Sequence, residues 1–165
     1  MNSYDFFYEM PVNINAKIEI PVINNENKVK YFLKRFNKNV IVSLLSYREP
    51  KSSVNIALTD NQNNQLVEIR EAWSLSRKFI ITDSKQVERP EAKANSTSFE
   101  FVLNQCAYQF VRNSDCITLY VNDKSAMKLI SDLNGFSLKH TVYVNQADLN
   151  IPLALACIHK FLIAY

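Results

Sequence analysis

The sequence predicts a mainly β protein with one helix: a β-barrel of roughly twelve antiparallel strands that encloses a hydrophobic C-terminal helix. Two observations support this prediction. Short segments rich in β-branched and aromatic residues follow one another along most of the chain, and polar turns separate them at a spacing of about 8–12 residues. The pattern then changes, because the segment from Ile151 to Tyr165 is apolar nearly all round.

The strand segments alternate apolar and polar residues, which is the pattern of a sheet with one buried face. In one of them, the large apolar residues Val54, Ile56 and Leu58 alternate with Asn55, Ala57 and Thr59. The predicted strands cover residues 17–20, 28–33, 40–45, 54–59, 66–70, 79–82, 86–88, 99–103, 108–111, 117–121, 126–130 and 136–144. The short connections between them indicate a simple antiparallel order.

The C-terminal segment has the features of a helix that is surrounded on all sides. Pro152 suits a first helical turn, and Asp148 or Asn150 can cap the free N–H groups before it. A bilayer-spanning helix needs about 20 apolar residues, whereas this segment is shorter and contains His159 and Lys160. We therefore expect the helix inside the barrel rather than in a membrane. Deletion of residues 151–165 should then unfold the protein.

We expect a single domain, with an N-terminal segment (1–12), the strands (13–147) and the central helix (148–165). The N-terminal segment is rich in aromatic residues, and packing across a barrel opening or contact with a partner are its two interpretations, of which we favour packing. It lacks the basic start and apolar run of a secretory signal, so we expect a cytoplasmic protein.

The composition excludes several function classes. Gly135 is the only glycine, so no glycine-rich phosphate or dinucleotide loop can be built. Asparagine clusters at residues 24–27 and 61–64, where it can adopt the left-handed conformation that turns require. The three cysteines lack metal-ligand spacing and are expected to be free thiols. His140 and His159 have no ligand or nucleophile pattern around them, so we expect no cofactor, no metal and no catalytic residues.

Basic residues provide the main candidate binding site. Lys28, Lys30 and Lys34 alternate and therefore share one face of a strand, with Arg35 and Lys38 at its end. Such a face can contact anionic lipid headgroups or another phosphate-bearing partner. The alternative interpretation is a solvated strand face whose lysines prevent edge-to-edge pairing. The net charge of +3 is too small to predict a specific nucleic-acid partner.

Many short strands followed by a hydrophobic C-terminal helix resemble the superfamily of tubby C-terminal domains, LURP-one-related proteins and phospholipid scramblases. The residues that carry the resemblance are Asp148-Leu-Asn-Ile-Pro-Leu-Ala-Leu-Ala-Cys-Ile-His-Lys-Phe, with Thr59-Asp60-Asn61-Gln62-Asn63 before Leu66-Val67-Glu68-Ile69, and Phe79-Ile80-Ile81-Thr82-Asp83. The resemblance covers about residues 16–165 and implies a barrel around a central helix. The compact size is similar to that of small bacterial members.

These observations favour a non-enzymatic, tubby-like binding or scaffold domain that lies in the cytoplasm or at the periphery of a membrane. Its expected partner is anionic lipid or another phosphate-bearing molecule at Lys28, Lys30, Lys34, Arg35 and Lys38. A protein–protein interaction module is one alternative. A small-ligand carrier or enzyme is another, but it needs an internal cavity that the filling helix would occupy.

Overall fold

The computed structural model describes residues 4–11, 19–36, 55–72 and 78–164, and all structural statements concern these residues. The strands are β1 (Phe6–Pro11), β2 (Glu19–Asn24), β3 (Val29–Phe36), β4 (Asn55–Asp60), β5 (Gln65–Ala72), β6 (Lys78–Asp83), β7 (Glu91–Ala94), β8 (Ser98–Leu103), β9 (Cys106–Asn113), β10 (Cys116–Val121), β11 (Lys124–Asn134) and β12 (Ser137–Val144). One helix, α1 (Ile151–Ala164), follows them.

The strands form a closed barrel in which each pairs with its neighbours in the chain and β1 closes the ring against β12. All the pairings are antiparallel, and the closing pair extends from Phe6 opposite Val142 to Pro11 opposite Ser137. The fold class predicted from the sequence is therefore confirmed. Closure pairs both edges of every strand in the ring, which removes the exposed edges that an open sheet would have.

Two predicted details of the strands are wrong, and a third lies outside the described residues. The N-terminal segment does not simply pack across an opening, because it contains β1, which closes the barrel with Tyr8 fully buried. Residues 86–88 are not a strand but part of a loop, and the strand there is β7. The predicted strand at 40–45 lies outside the described residues.

The interior of the barrel is filled by α1. Every residue from Leu153 to Phe161 is buried, and so are the inward-facing aromatic residues Phe79, Phe99 and Phe110. The rings of Phe99 and Phe161 lie 6.1 Å apart, so β8 and the helix pack directly against each other. Within the described ranges, no helix has both the length and the apolarity needed to cross a bilayer.

Polar contacts fix the two ends of α1. Asn150 caps the first turn, since its Oδ1 accepts a hydrogen bond from the Leu153 N–H at 3.2 Å. Its Nδ2 donates to Asp83 Oδ2 at 2.7 Å, which ties the cap to the end of β6. Near the other end, Arg112 Nη2 on β9 donates to the Phe161 carbonyl at 2.9 Å. A cation at a helix C-terminus interacts favourably with the helix dipole.

Asparagine does replace glycine in the turns. Asn27, Asn63, Asn104 and Asn122 have φ values of 59°, 68°, 49° and 49°, all in the left-handed region. Asn24 further organises the first of these turns, because its Oδ1 accepts hydrogen bonds from the N–H groups of Glu26 and Lys28. The prediction that asparagine serves the tight turns of this chain is therefore confirmed.

Candidate binding surface and barrel interior

The outward face of β3 carries the predicted lysines. Lys30, Phe32 and Lys34 alternate with Leu33 and Arg35, and the latter two are buried inside the barrel. Lys28 lies in the turn before β3 and is exposed. These three lysines therefore share the outer side of the β2–β3 hairpin, with the half-buried ring of Phe32 between Lys30 and Lys34.

Two of these lysines have a carboxylate beside them. Lys28 Nζ lies 3.0 Å from Glu26 Oε2, and Lys34 Nζ lies 3.5 Å from Glu19 Oε2. Lys34 also donates a hydrogen bond to Asn63 Oδ1. Both carboxylates are themselves at least half exposed, so solvent screens these pairs and each contributes little to stability.

The structure removes the edge-protection interpretation of the lysines. β3 is hydrogen-bonded to β2 on one side and to β4 on the other, so it is an internal strand of the closed ring. A strand without a free edge needs no charged residues to prevent pairing with another chain. The lysines of this face therefore need a different explanation, either simple solvation or contact with a partner.

Arg35 corrects the predicted site. The sequence interpretation placed it at the end of the lysine strand, but β3 continues to Phe36, so the two-residue period of the strand turns Arg35 inward. Its side chain is 5 % exposed, and its Nε donates to His159 Nε2 on α1 at 3.3 Å. Arg35 cannot contact a partner on the outer surface. The fifth predicted residue, Lys38, lies outside the described residues.

Arg35 belongs instead to a polar cluster inside the barrel, formed by Tyr8, Arg35, His140 and His159. The Tyr8 ring lies 4.9 Å from the His140 ring and 5.6 Å from the His159 ring, measured between centroids. His140 Nδ1 is 2.8 Å from Ser131 Oγ on the neighbouring strand. Tyr8, His140 and His159 are completely buried, so this interior polar cluster is shielded from water.

Burial controls the protonation of this cluster. It lowers the pKa of His140 to about 4 and lowers the pKa of His159 well below its usual value, and the positive charge of Arg35 adds to both shifts. Both imidazoles are therefore neutral at pH 7. Because His159 Nε2 accepts the Arg35 hydrogen bond, the proton of the neutral ring is on Nδ1. Burial also raises the pKa of the Tyr8 hydroxyl.

Lys160 is also a buried cation. Its side chain is completely buried, and its Nζ lies 4.8 Å from the centre of the Phe79 ring, a cation–π contact. The sequence interpretation used His159 and Lys160 as an argument against a membrane helix. The sequence placed both residues on the helix inside the barrel, where a buried His159 is expected to be neutral or hydrogen-bonded. It did not identify their partners, because these come from β1, β3, β6 and β12, which are distant in the chain.

Within the part of the chain that the structure describes, no three histidine, cysteine or acidic side chains are grouped as ligands of one metal ion. The three cysteines, Cys106, Cys116 and Cys157, are free thiols, as predicted. Burial raises the pKa of the Cys157 thiol well above its usual value, because the interior disfavours the thiolate. Cys157 therefore has the properties of a packing residue on α1.

Comparison with known proteins supports one family. No curated protein and no solved structure matches the chain. The family model of the Tubby C-terminal like domain matches residues 6–165, a range that begins at β1 and includes the whole barrel and α1. The match thus covers nearly all of the chain, and the chain belongs to the Tubby C-terminal like domain family.

Proposed function

We propose that this tubby-like domain is a non-enzymatic binding or scaffold domain that contacts anionic lipid headgroups through Lys28, Lys30 and Lys34. Membership of the family supports a tubby-like binding domain in general terms. The observation that carries the lipid contact is the outward face of β3, where Lys30 and Lys34 flank Phe32. The proposal implies peripheral attachment at the cytoplasmic side of a membrane, where anionic lipids are concentrated.

The energetics of this contact are modest. Each lysine near an anionic membrane surface contributes about 1 kcal/mol. Glu26 and Glu19 offset part of the charge of Lys28 and Lys34. The three lysines together therefore contribute less binding free energy than the sum of three separate lysines. We therefore expect weak, reversible binding that is sensitive to ionic strength.

The filled interior supports an outer site. A small-molecule pocket usually encloses most of its ligand within a concave, largely preformed cavity. Here the residues of α1 from Leu153 to Phe161 occupy the space that an internal ligand would need. A carrier or enzyme that holds its substrate along the axis of the barrel is therefore disfavoured, and partners are expected on the outside.

Co-sedimentation with liposomes tests the proposal. The full chain is mixed with vesicles of neutral phosphatidylcholine, or with vesicles that also contain anionic phosphatidylglycerol. We expect binding to the anionic vesicles alone. The variant K28Q/K30Q/K34Q should lose about tenfold or more of this binding, because it removes three positive charges from one face.

A matched control has the same change of charge at other exposed lysines. The variant K85Q/K124Q/K128Q removes three positive charges from the loop before β7 and from β11. It should retain most of the binding. Equal losses in both triple variants would show that only net charge matters, and that result, or equal binding to neutral vesicles, would overturn the proposed site.

Removal of the neighbouring carboxylates should have the opposite effect. In the variant E19Q/E26Q, Lys28 and Lys34 lose the acidic groups at 3.0 and 3.5 Å, so the positive potential of this face increases. We expect a severalfold increase in binding to anionic vesicles, on the order of 1 kcal/mol. Unchanged binding in the same co-sedimentation assay would contradict the participation of these two lysines.

A further inference from the structure

A second surface lies on the side of the barrel opposite the lysines. A groove with a volume of about 530 Å³ runs over the outer face of β7–β10. In the closed ring, β9 is six strands away from β3 in either direction, so the groove and the lysine face point away from each other. Its volume falls in the range of small-molecule sites.

The register of the strands determines the floor of the groove. Lys93, Glu100, Gln109 and Tyr120 lie opposite one another in a row across β7, β8, β9 and β10. Beside this row, Val102 on β8 lies opposite Ala107 on β9, and both are exposed. The floor therefore combines an apolar patch, Val102 and Ala107, with the polar groups of the row beside it and the half-buried ring of Tyr120 at one end of the row.

The charge of the groove is opposite to that of the whole chain. The chain has a net charge of +3, yet the groove is lined by four carboxylates and one lysine, namely Glu88, Glu91, Glu100, Asp123 and Lys93. Glu91 is paired with Lys78 at 3.3 Å, and Glu88 accepts the Asn104 N–H at 2.9 Å. Glu100 and Asp123 are exposed, and their side chains form no ion pair or hydrogen bond with the described part of the chain.

The carboxylates are spread along the groove. Glu100 lies in the middle of β8, Asp123 lies in the turn after β10, and Glu88 lies in the loop before β7. They form no three-ligand group for a single metal ion within the described ranges. Separated carboxylates around an apolar patch suit a flexible cation whose charges are separated by methylene groups. Tyr120 adds an aromatic face that attracts an ammonium group.

We propose that this groove binds an aliphatic polyamine, with its ammonium groups at Glu100 and Asp123 and its methylene chain over Val102 and Ala107. This site is independent of the proposed lipid contact, because it uses other residues on the opposite side of the barrel. Lys93 weakens the binding of a cationic ligand, because its positive charge lies beside Glu100 in the same row.

Calorimetric titration of the full chain with spermidine tests this proposal. The wild-type protein should bind spermidine, and binding should weaken as sodium chloride is added. The variant E100Q/D123N should bind about tenfold more weakly, since two nearby charges are lost. The variant K93Q should bind a few-fold more tightly, a gain that damage to the fold would not produce.

Controls separate the groove from general attraction of cations. The variant D115N/D132N removes two exposed carboxylates at the other end of the barrel and should bind spermidine as the wild type does. Mg²⁺ and the uncharged 1,6-hexanediol should not compete at equal concentration. The proposal would be overturned if spermidine did not bind, if both double variants weakened binding equally, or if Mg²⁺ competed. It would also be overturned if the chain bound an oligolysine peptide but not spermidine.

Discussion

Tyr8, Arg35, His140 and His159 lie inside an otherwise apolar barrel, where each polar atom must exchange its water contacts for protein contacts. Some of these polar atoms lose water without gaining a hydrogen bond from the protein. Tyr8 Oη, His140 Nε2 and His159 Nδ1 have no hydrogen-bond partner among the residues that the structure describes. Such atoms carry a desolvation cost of about 1–3 kcal/mol each, so these three atoms lower the stability of the native state.

The hydroxyl of Tyr8 provides a direct test of this cost. The variant Tyr8→Phe keeps the buried ring and removes only the unpartnered oxygen. We expect its free energy of unfolding in urea to be unchanged or raised by about 1 kcal/mol. A loss of more than about 1 kcal/mol would show that the hydroxyl has a stabilising partner, contrary to the geometry.

The two buried histidines make stability depend on pH. The pKa of His140 is about 4 in the folded state, below its value of 6.5 in the unfolded chain, and that of His159 is shifted in the same direction. Between pH 4 and 6.5 the unfolded chain therefore binds more protons than the folded chain. The free energy of unfolding consequently decreases as the pH falls from 6.5 toward 4. His140 alone contributes about 3 kcal/mol to this loss.

Urea titrations between pH 7.5 and 5 measure this dependence above the range where most carboxylates titrate. The wild-type free energy of unfolding should decrease at up to about 2.8 kcal/mol per pH unit near pH 5.5, since each buried histidine contributes at most about 1.4. In the variant His140→Gln the slope should be roughly halved. A wild-type slope near zero would contradict the neutral, buried state of both rings.

At the scale of secondary-structure elements, the residue that caps α1 also forms a tertiary contact. The sequence allows Asp148 or Asn150 as the cap, and the structure selects Asn150. Asp148 is exposed, whereas Asn150 both accepts the Leu153 N–H and donates to Asp83 on β6. The cap therefore also fixes the point at which the chain enters the barrel.

Replacement of the two cap candidates distinguishes their roles. The variant Asn150→Ala loses the cap and leaves Asp83 Oδ2 without this donor, so we expect a cost of about 1–3 kcal/mol in the free energy of unfolding. The matched variant Asp148→Ala should cost less than about 0.5 kcal/mol, because it is an exposed site outside the helix. Equal costs in urea titrations would contradict the assignment of Asn150 as the cap.

The strands show which features a sequence can predict and which it cannot. Alternation identified the position of β4 and the common face of Lys30 and Lys34, because the period of a strand is a local property. It did not place the end of β3, so Arg35 was assigned to the wrong side of the sheet. The partners of Arg35 belong to α1 and β1, and no local pattern contains that information.

At the scale of the whole molecule, closure of the ring and the filling of its interior depend on each other. Twelve strands enclose a space that side chains from the strands alone do not fill, and α1 supplies the remaining core. The number of strands and the all-round apolarity of the C-terminal segment predicted this arrangement, and the family resemblance implied the same one. The groove over β7–β10 was not predicted, because its row of Lys93, Glu100 and Gln109 exists only through the register of neighbouring strands.

Removal of α1 should therefore unfold the barrel. Each large apolar side chain buried by α1 contributes about 1.5–3 kcal/mol, whereas a domain of this kind has a net stability of only about 5–15 kcal/mol. A chain that ends at Asn150 should show no cooperative thermal transition. As a graded control, Leu155→Ala should cost about 2–5 kcal/mol, and Leu162→Ala, at a half-buried position, should cost less. A cooperative transition in the truncated chain would contradict the role of α1.

The central claim is that α1 fills the barrel while binding takes place on the outer face of β3. Hydrogen–deuterium exchange of the full chain, alone and with neutral or anionic vesicles, tests both parts at once. The account predicts that amides of α1 exchange only through global unfolding in every condition. It predicts that amides of the segment from Lys28 to Lys34 exchange more slowly in the presence of anionic vesicles, and that neutral vesicles leave their exchange unchanged. Faster exchange of α1 on vesicles, or protection that does not include Lys28 to Lys34, would contradict it.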